Sequence, residues 1–251
     1  MAWNTVYDIV SAEKGLQNLV QGRVLLKSNM VALDTLVPVG EGTAGTAGAV
    51  TGVHLFLNTT NSVKLVQPNA AGTGIEHSEN GTITAATASD LNLTLTSGCA
   101  NAYTTARGAY VTPQSLPASI SALKVVDIDP WQLTSTADLI LPAIYIEAMG
   151  GQLDSAGHPQ YEGHYRFNVK YVRKIVPGEA SNTTITYAQD IINLIAEDHY
   201  WGAEVDYGWP ISFRPMAASE RMSVGTLAGE VMVSWVEIQV EALTHKDLNK
   251  L

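Results

Sequence analysis

Between His164 and Tyr171 the side chains alternate. Tyr165, Phe167, Val169 and Tyr171 share one phase, and Arg166, Asn168 and Lys170 the other. This period-two pattern is that of a strand with one face buried and one face wet. Such a strand commits the chain to a sheet and to an apolar layer that covers one side of it. The run Leu139-Ile140-Leu141-Pro142-Ala143-Ile144-Tyr145-Ile146 has strand length and is expected to be its antiparallel neighbour, reached through a turn-rich link from Gly150 to Gly163. The covering layer is expected from Thr186 to His199. There Ile191, Ile192, Leu194 and Ile195 form an apolar stripe, and Thr186-Tyr187-Ala188-Gln189 fits a capping box with Thr186 as N-cap. Trp201-Gly202 would end that helix.

The remaining elements follow from the same periodicities. Val6, Ile9, Val10, Leu16, Leu19 and Val20 predict a helix over residues 4 to 21, with Asn4 as cap and Gly22 as terminator. From Val37 to Lys124 charged residues nearly vanish, and Thr, Ala, Gly, Asn and Ser dominate. Gly40 to Gly52 reads as a loop. Strand candidates follow at Val53–Leu57, Val63–Val66, Thr82–Ala85 and Leu91–Leu95, separated by turn material at Pro68-Asn69 and Asn80-Gly81, which suggests a small all-β unit. Pro113 to Pro117 reads as a linker. Short strands are expected at Ala203–Tyr207 and Ile211–Phe213. In the final run, Gly229 to Leu243, a phase change predicts either a bulge near Trp235 or a strand covered on both faces. Thr244 to Leu251 is expected to fray.

Charge and cysteine content narrow the functions. A net charge of −10 and a pI of about 4.9 argue against broad binding of a phosphate backbone, which needs clustered Lys and Arg. The single cysteine, Cys99, excludes an intrachain disulfide and a cysteine zinc cluster, and its Thr-Ser-Gly-Cys-Ala-Asn context marks no nucleophile. Met1 to Thr5 lack the features of a secretory leader, and no stretch approaches the roughly 18 apolar residues of a membrane span.

Candidate chemistry is sparse. His158, Glu162 and His164 lie in one short segment and offer metal-ligand types, but Pro159 and Gly163 forbid the helical spacing used by zinc hydrolases. A polar surface loop explains the same letters. In Glu197-Asp198-His199 the histidine at a helix C-terminus is accounted for by its favourable interaction, when charged, with the helix dipole. Trp201, Tyr207 and Trp209 would form either a stacking platform for a sugar or base or the seal at one end of a core. Gly40-Glu41-Gly42 lacks the preceding strand of a nucleotide fingerprint. No catalytic, cofactor-binding or metal-binding residue is assigned.

The order of elements resembles that of the tail terminator and neck proteins of tailed bacteriophages. The resemblance is carried by Leu141 to Ile146, the strand Tyr165 to Val172, the helix Asp190 to Asp198 and the final strand Val231 to Val240. It covers the N-terminal helix and Asp127 to Leu243. It implies an α+β fold, an antiparallel or mixed sheet flanked by two helices. Residues 1–36 and 123–251 would form this ring-forming core, and residues 37–122 a β-rich insertion. It also implies a structural virion protein that is not an enzyme and needs no cofactor. Such a protein is assembled in the host bacterial cytoplasm as a homo-oligomeric ring, a hexamer in that family. It would contact tail-tube protein and the head-proximal connector or stopper, let DNA pass without specific binding, and avoid membranes. Two alternatives remain open: another virion component (tail tube, baseplate or decoration protein) and a metal-dependent enzyme built on His158, Glu162 and His164.

Overall fold

The computed structural model describes residues 9–39, 62–71, 74–86, 90–93, 98–121, 123, 125–127, 141–157, 160–175, 178, 180, 182–197, 201, 205, 207–216, 221–222 and 231–247. The chain is mixed α+β and divides into two compact units: residues 1–21, 117–199 and 205–251, and residues 22–116 with 200–204.

The first unit is built on the alternating strand. β9 (Gln160–Lys174) lies between β8 (Ala143–Gly157) and β12 (Val231–Asp247), antiparallel to both. β10 (Tyr207–Met216) pairs with β12 at one edge, and the short β7 (Val125–Asp127) runs parallel to the start of β8 at the other. The sheet order is β10-β12-β9-β8-β7, with β11 (Arg221–Met222) also on β12. Register aligns Ile144 with Tyr171 and Val236, and Ile146 with Val169 and Ile238. Phe167 likewise lies opposite Val240, and Tyr165 opposite Ala242. All of these side chains are buried.

Helices α1 (Ile9–Val20) and α3 (Thr183–Glu197) supply the cover. α1 touches β7 and β8, α3 touches β10 and β12, and the two touch each other. The inward stripes are Ala12, Leu16, Leu19 and Val20 on α1, and Ala188, Ile191, Leu194 and Ile195 on α3. Tyr187 of α3 meets Tyr171 edge-on, at a centroid distance of 6.3 Å, and carries the Arg173 guanidinium over its ring. The four-residue α2 (Ala118–Ser121) packs on α3, where the Ser119 hydroxyl donates to Asp190 at 2.7 Å.

Several boundaries differ from the sequence expectations. The segment read as a turn-rich link from Gly150 to Gly163 is strand for most of its length. β8 absorbs its small residues with register shifts between Ala148 and Gly150 and between Ser155 and Gly157, and Gly150 takes a φ of +109°. Gly208-Trp209-Pro210 likewise sits inside β10, because an edge strand tolerates proline. Against β9 the register runs unbroken through Trp235, with no bulge there; on the other side pairing with β10 ends at Trp235, and the slip lies in β10, between Pro210 and Ser212. The phase change has another cause, since Val233 is buried in the opposite phase from Val236. Pairing also carries β12 to Asp247, through the start of the segment expected to fray. α3 begins at Thr183, so Thr186 is no N-cap. Its hydroxyl donates back to Asn182 C=O, and Gln189 bonds Asn193.

The second unit is a sheet of order β1-β6-β3-β4-β5-β2, antiparallel throughout. Its strands are β1 (Val24–Leu25), β2 (Leu36–Pro38), β3 (Ser62–Pro68), β4 (Ile75–Ala86), β5 (Asp90–Leu93) and β6 (Tyr110–Pro113). Just past β1, the Lys27 N–H donates to Pro38 C=O at 2.8 Å, so the two edge strands meet and the sheet closes into a small barrel. Val24, Leu26, Met30, Val37, Val39, Val63, Leu65, Ile83, Cys99, Tyr103, Ala109 and Val111 fill it. The expected boundaries at 36/37 and 122/123 therefore move to 21/22 and 116/117. Loss of charge marked most of this unit, but β1 lies upstream of that change and β2 straddles it. Asn80-Gly81, read as a turn, is interior to β4, where Gly81 faces Val63. The expected strand Val53–Leu57 and the Asn4 cap lie outside the described residues.

Removing one large side chain from the helix-facing layer tests this architecture. Phe167→Ala is expected to cost about 3–5 kcal/mol in chemical denaturation, because the closed layer around it cannot collapse into the gap. Arg166→Ala, on the wet face of the same strand, should change stability by less than about 1 kcal/mol.

Candidate functional site

The wet face of the first unit's sheet concentrates its polar chemistry. Register sets the side chains in rows across four strands. One row is Tyr145, Lys170, Glu237 and Arg214, and the next is Glu147, Asn168, Gln239 and Ser212. Farther along come Gly150, Arg166, Glu241 and Trp209, then Gln152, His164, Leu243 and Tyr207. Lys170 Nζ stands 3.7 Å from carboxylate oxygens of both Glu147 and Glu237. Arg166 Nε is 3.8 Å from Glu241, and the Ser212 hydroxyl donates to Gln239 at 3.0 Å. Apart from Arg166 these charged groups are half-buried, and their charges stand beyond hydrogen-bond distance, so each pair contributes little stability, about 1 kcal/mol or less. Their consequence is register and a patterned surface.

At the hairpin end of this face a cleft of about 370 Å³ is lined by Met149, Gly150, Gly151, Gln152, Asp154, His164, Arg166 and Glu241. His164 Nε2 is 2.8 Å from Glu162 and its Nδ1 is 3.9 Å from Glu241. Glu162 and His164, two residues apart on one strand, thus share a face. His158 lies outside the described residues. Among those described, no group of three or more His, Cys, Asp or Glu side chains is arranged to hold a metal ion. Glu162 orients the imidazole through Nε2, and Glu241 stands near Nδ1 at a longer distance. Tyr207 and Trp209, on the same face, stand in ring contact at 5.1 Å. Trp201 is fully buried, as expected of a core seal, with φ at +46°.

The second unit contains the most heavily coordinated carboxylate described. Glu79 on β4 accepts from Ala100 N–H on both oxygens, at 3.0 and 2.9 Å, from Asn101 N–H at 3.2 Å, and from the Tyr103 hydroxyl at 2.8 Å. Burial pushes its pKa up, but the hydrogen bonds outweigh burial and hold it below the ordinary 4.5. The same geometry raises the Tyr103 hydroxyl, first through burial and then through Glu79. His77 stacks edge-on against Tyr103 at 4.9 Å and bonds Ala102 C=O at 3.0 Å. Cys99 is buried, its Sγ 3.1 Å from Val31 C=O, and burial and the Glu79 charge raise its pKa, so it is an inert thiol. Gly98 is required here: with φ at +79°, a Cβ would stand 2.0 Å from Leu33 C=O. A carboxylate whose oxygens are filled by its own chain has little capacity left for substrate or metal. The cluster is a clasp that fixes residues 98–103 across the barrel.

No protein-family model matches the chain, and none of the curated proteins compared with it is significantly similar.

The clasp predicts a pH dependence with a defined sign. Glu79 has a lowered folded-state pKa, so its stabilisation is fully present above 4.5 and is lost as pH falls through the folded value. Glu79→Gln is expected to destabilise the chain by about 2 kcal/mol at neutral pH. It should also flatten the fall in stability below pH 4.5 seen in urea titrations of the parent chain.

Proposed function

We propose that the chain is a structural protein of a tailed-bacteriophage virion, one that forms a homo-oligomeric ring, a hexamer by family resemblance, at the neck. There it would terminate the tail tube and join it to the head, between tail-tube protein and the head-proximal connector or stopper. Its sheet would carry the two flanking helices of that family. What supports the reading is the face of Glu147, Arg166, Lys170, Glu237 and Glu241 across β8, β9 and β12: an extended, patterned polar surface with no activated nucleophile among the described residues. Such a surface is a product of recognition, and its acidic excess suits a wall past which DNA moves without being gripped. Exposed apolar residues at the sheet margins, Met149, Ile211 and Phe213, add sites of association. No described helix is long and apolar enough to cross a membrane.

The alternative within the virion is a tail-tube, baseplate or decoration protein, which the same sheet would serve. A metal-dependent enzyme is favoured by no arrangement among the described residues. Electron microscopy of tails assembled with and without the protein tests the terminator role. Its omission is expected to give tails of uncontrolled length that fail to join heads. Tails of normal length that still attach would exclude the role, and stoichiometric zinc lost on His164→Ala would move the reading to the enzyme.

A further inference from the structure

Among the described residues, the first unit's sheet has two margins with no paired strand. β10 pairs with β12 on one side and, from Trp209 to Met216, with no described strand on the other. On the far margin β7 covers only Ala143 to Tyr145, so β8 from Ile146 to Gly157 has no described strand on its outer side. An open strand edge presents unpaired N–H and C=O groups and invites another strand.

The polarity of the two margins is matched. β8, β9, β12 and β10 alternate in direction, each antiparallel to the next. Four is an even number, so β10 of one copy laid beside β8 of another is again antiparallel. The side chains at the margins also match. β10 exposes Ile211 (45%), Phe213 (53%) and Arg214, and β8 exposes Met149 (57%), Gln152 and Asp154. Apolar groups lie on both edges, with a cation on one and an acid on the other.

Pro210 and Pro215 lack N–H groups and bracket Ile211 to Arg214. They leave a short stretch able to pair and exclude a long ladder. Both edges also carry a register shift, near Ile211 on β10 and Met149 on β8. Together these features disfavour indiscriminate edge-to-edge pairing.

We propose that Ile211–Arg214 of β10 docks antiparallel on the open edge of β8, within Ile146–Asp154, of a second copy of this chain. The proposal rests on the ring reading above and names its lateral contact. The contact is heterologous, edge to opposite edge, so it propagates around a ring instead of closing a twofold dimer. It also orients the ring. α1 and α3 cover the face of Phe167 and Tyr171 and add a layer about 10 Å thick, which fits on the outside of a closed wall where the circumference is larger. The opposite face then lines the lumen. It carries Glu147, Asp154, Glu162, Glu237 and Glu241 against Arg166, Lys170, Lys174 and Arg214, so its acidic groups exceed these cations by one.

A photo-reactive phenylalanine analogue in place of Phe213 of the full chain tests this. Within one copy, three strand spacings, about 14 Å, separate β10 from β8, beyond the reach of the probe. The expected result is an intermolecular cross-link from position 213 to a residue between Ile146 and Asp154, identified by peptide mass spectrometry. Ile211→Lys with Phe213→Lys should weaken self-association by roughly tenfold or more, without loss of Tm, because both side chains are exposed in the single chain. Oligomers that cross-link from position 213 elsewhere, including to β10 of another copy, would overturn this contact and leave the ring reading standing. A chain that stays monomeric at millimolar concentration would overturn both.

Discussion

The pairing of β9 with a long strand on each side is the constraint on which the first unit depends. β9 is central, so its register fixes which side chains of β8 and β12 face the helices. A slip of one residue would turn Tyr165, Phe167, Val169 and Tyr171 to the wet face and Arg166 and Lys170 into the core. Two kinds of interaction oppose that slip. Aromatic and aliphatic side chains close against α1 and α3 on one face, and charges of opposite sign line up across strands on the other. Burial supplies most of the stability, and the charged rows specify alignment.

The same register produces the surface that any function of this unit must use. A face with Lys170 between Glu147 and Glu237, and Arg166 beside Glu241, has its charges matched at short range. Lys170 and Arg166 therefore each have a carboxylate within 4 Å. The cleft at the hairpin end belongs to that pattern, because its histidine is held by Glu162 and Glu241. The second unit solves a different problem. Its barrel buries a core of modest side chains, and closure through Lys27 and Pro38 removes the sheet edges that would otherwise be open. One unit has closed its edges on itself, while the other leaves two long margins without a described partner. That contrast is the ground on which the proposed contact is assigned to the first unit.

Much of this was legible in the sequence wherever a pattern is local. The alternation at Tyr165 to Tyr171 specified a half-buried strand, and the Ile/Leu stripes specified α1 and α3, because period and burial are linked by backbone geometry. Cys99 read as a bystander, and the structure buries it. Gly22 read as a helix terminator, and it takes a φ of +66° just past α1. Local chemistry misled where tertiary pairing outweighed it. The glycines and polar residues of Gly150 to Gly163 spell a turn, yet a neighbouring strand provides hydrogen bonds for that backbone and two register shifts absorb the misfit. Thr186 and Gln189 match a capping motif, but the chain entered the helix one turn earlier.

What only the tertiary structure decided is everything carried by residues far apart in the chain. Glu79 gives no sign in sequence that it will hold Ala100, Asn101 and Tyr103, because those donors arrive from a segment more than twenty residues away. Past Gly22, the run Arg23 to Lys27 reads in sequence as either a strand or a final apolar turn, and pairing with β6 decides for a strand at Val24–Leu25. The rows of the polar face, and the open edges beside them, exist only once four strands are in register. The sequence determined the buried phase of β9 and most of the inward stripes of α1 and α3, since those depend on spacing along one chain, although Val10 of the expected α1 stripe is exposed. Their neighbours across the sheet are set by long-range pairing, which no local period encodes.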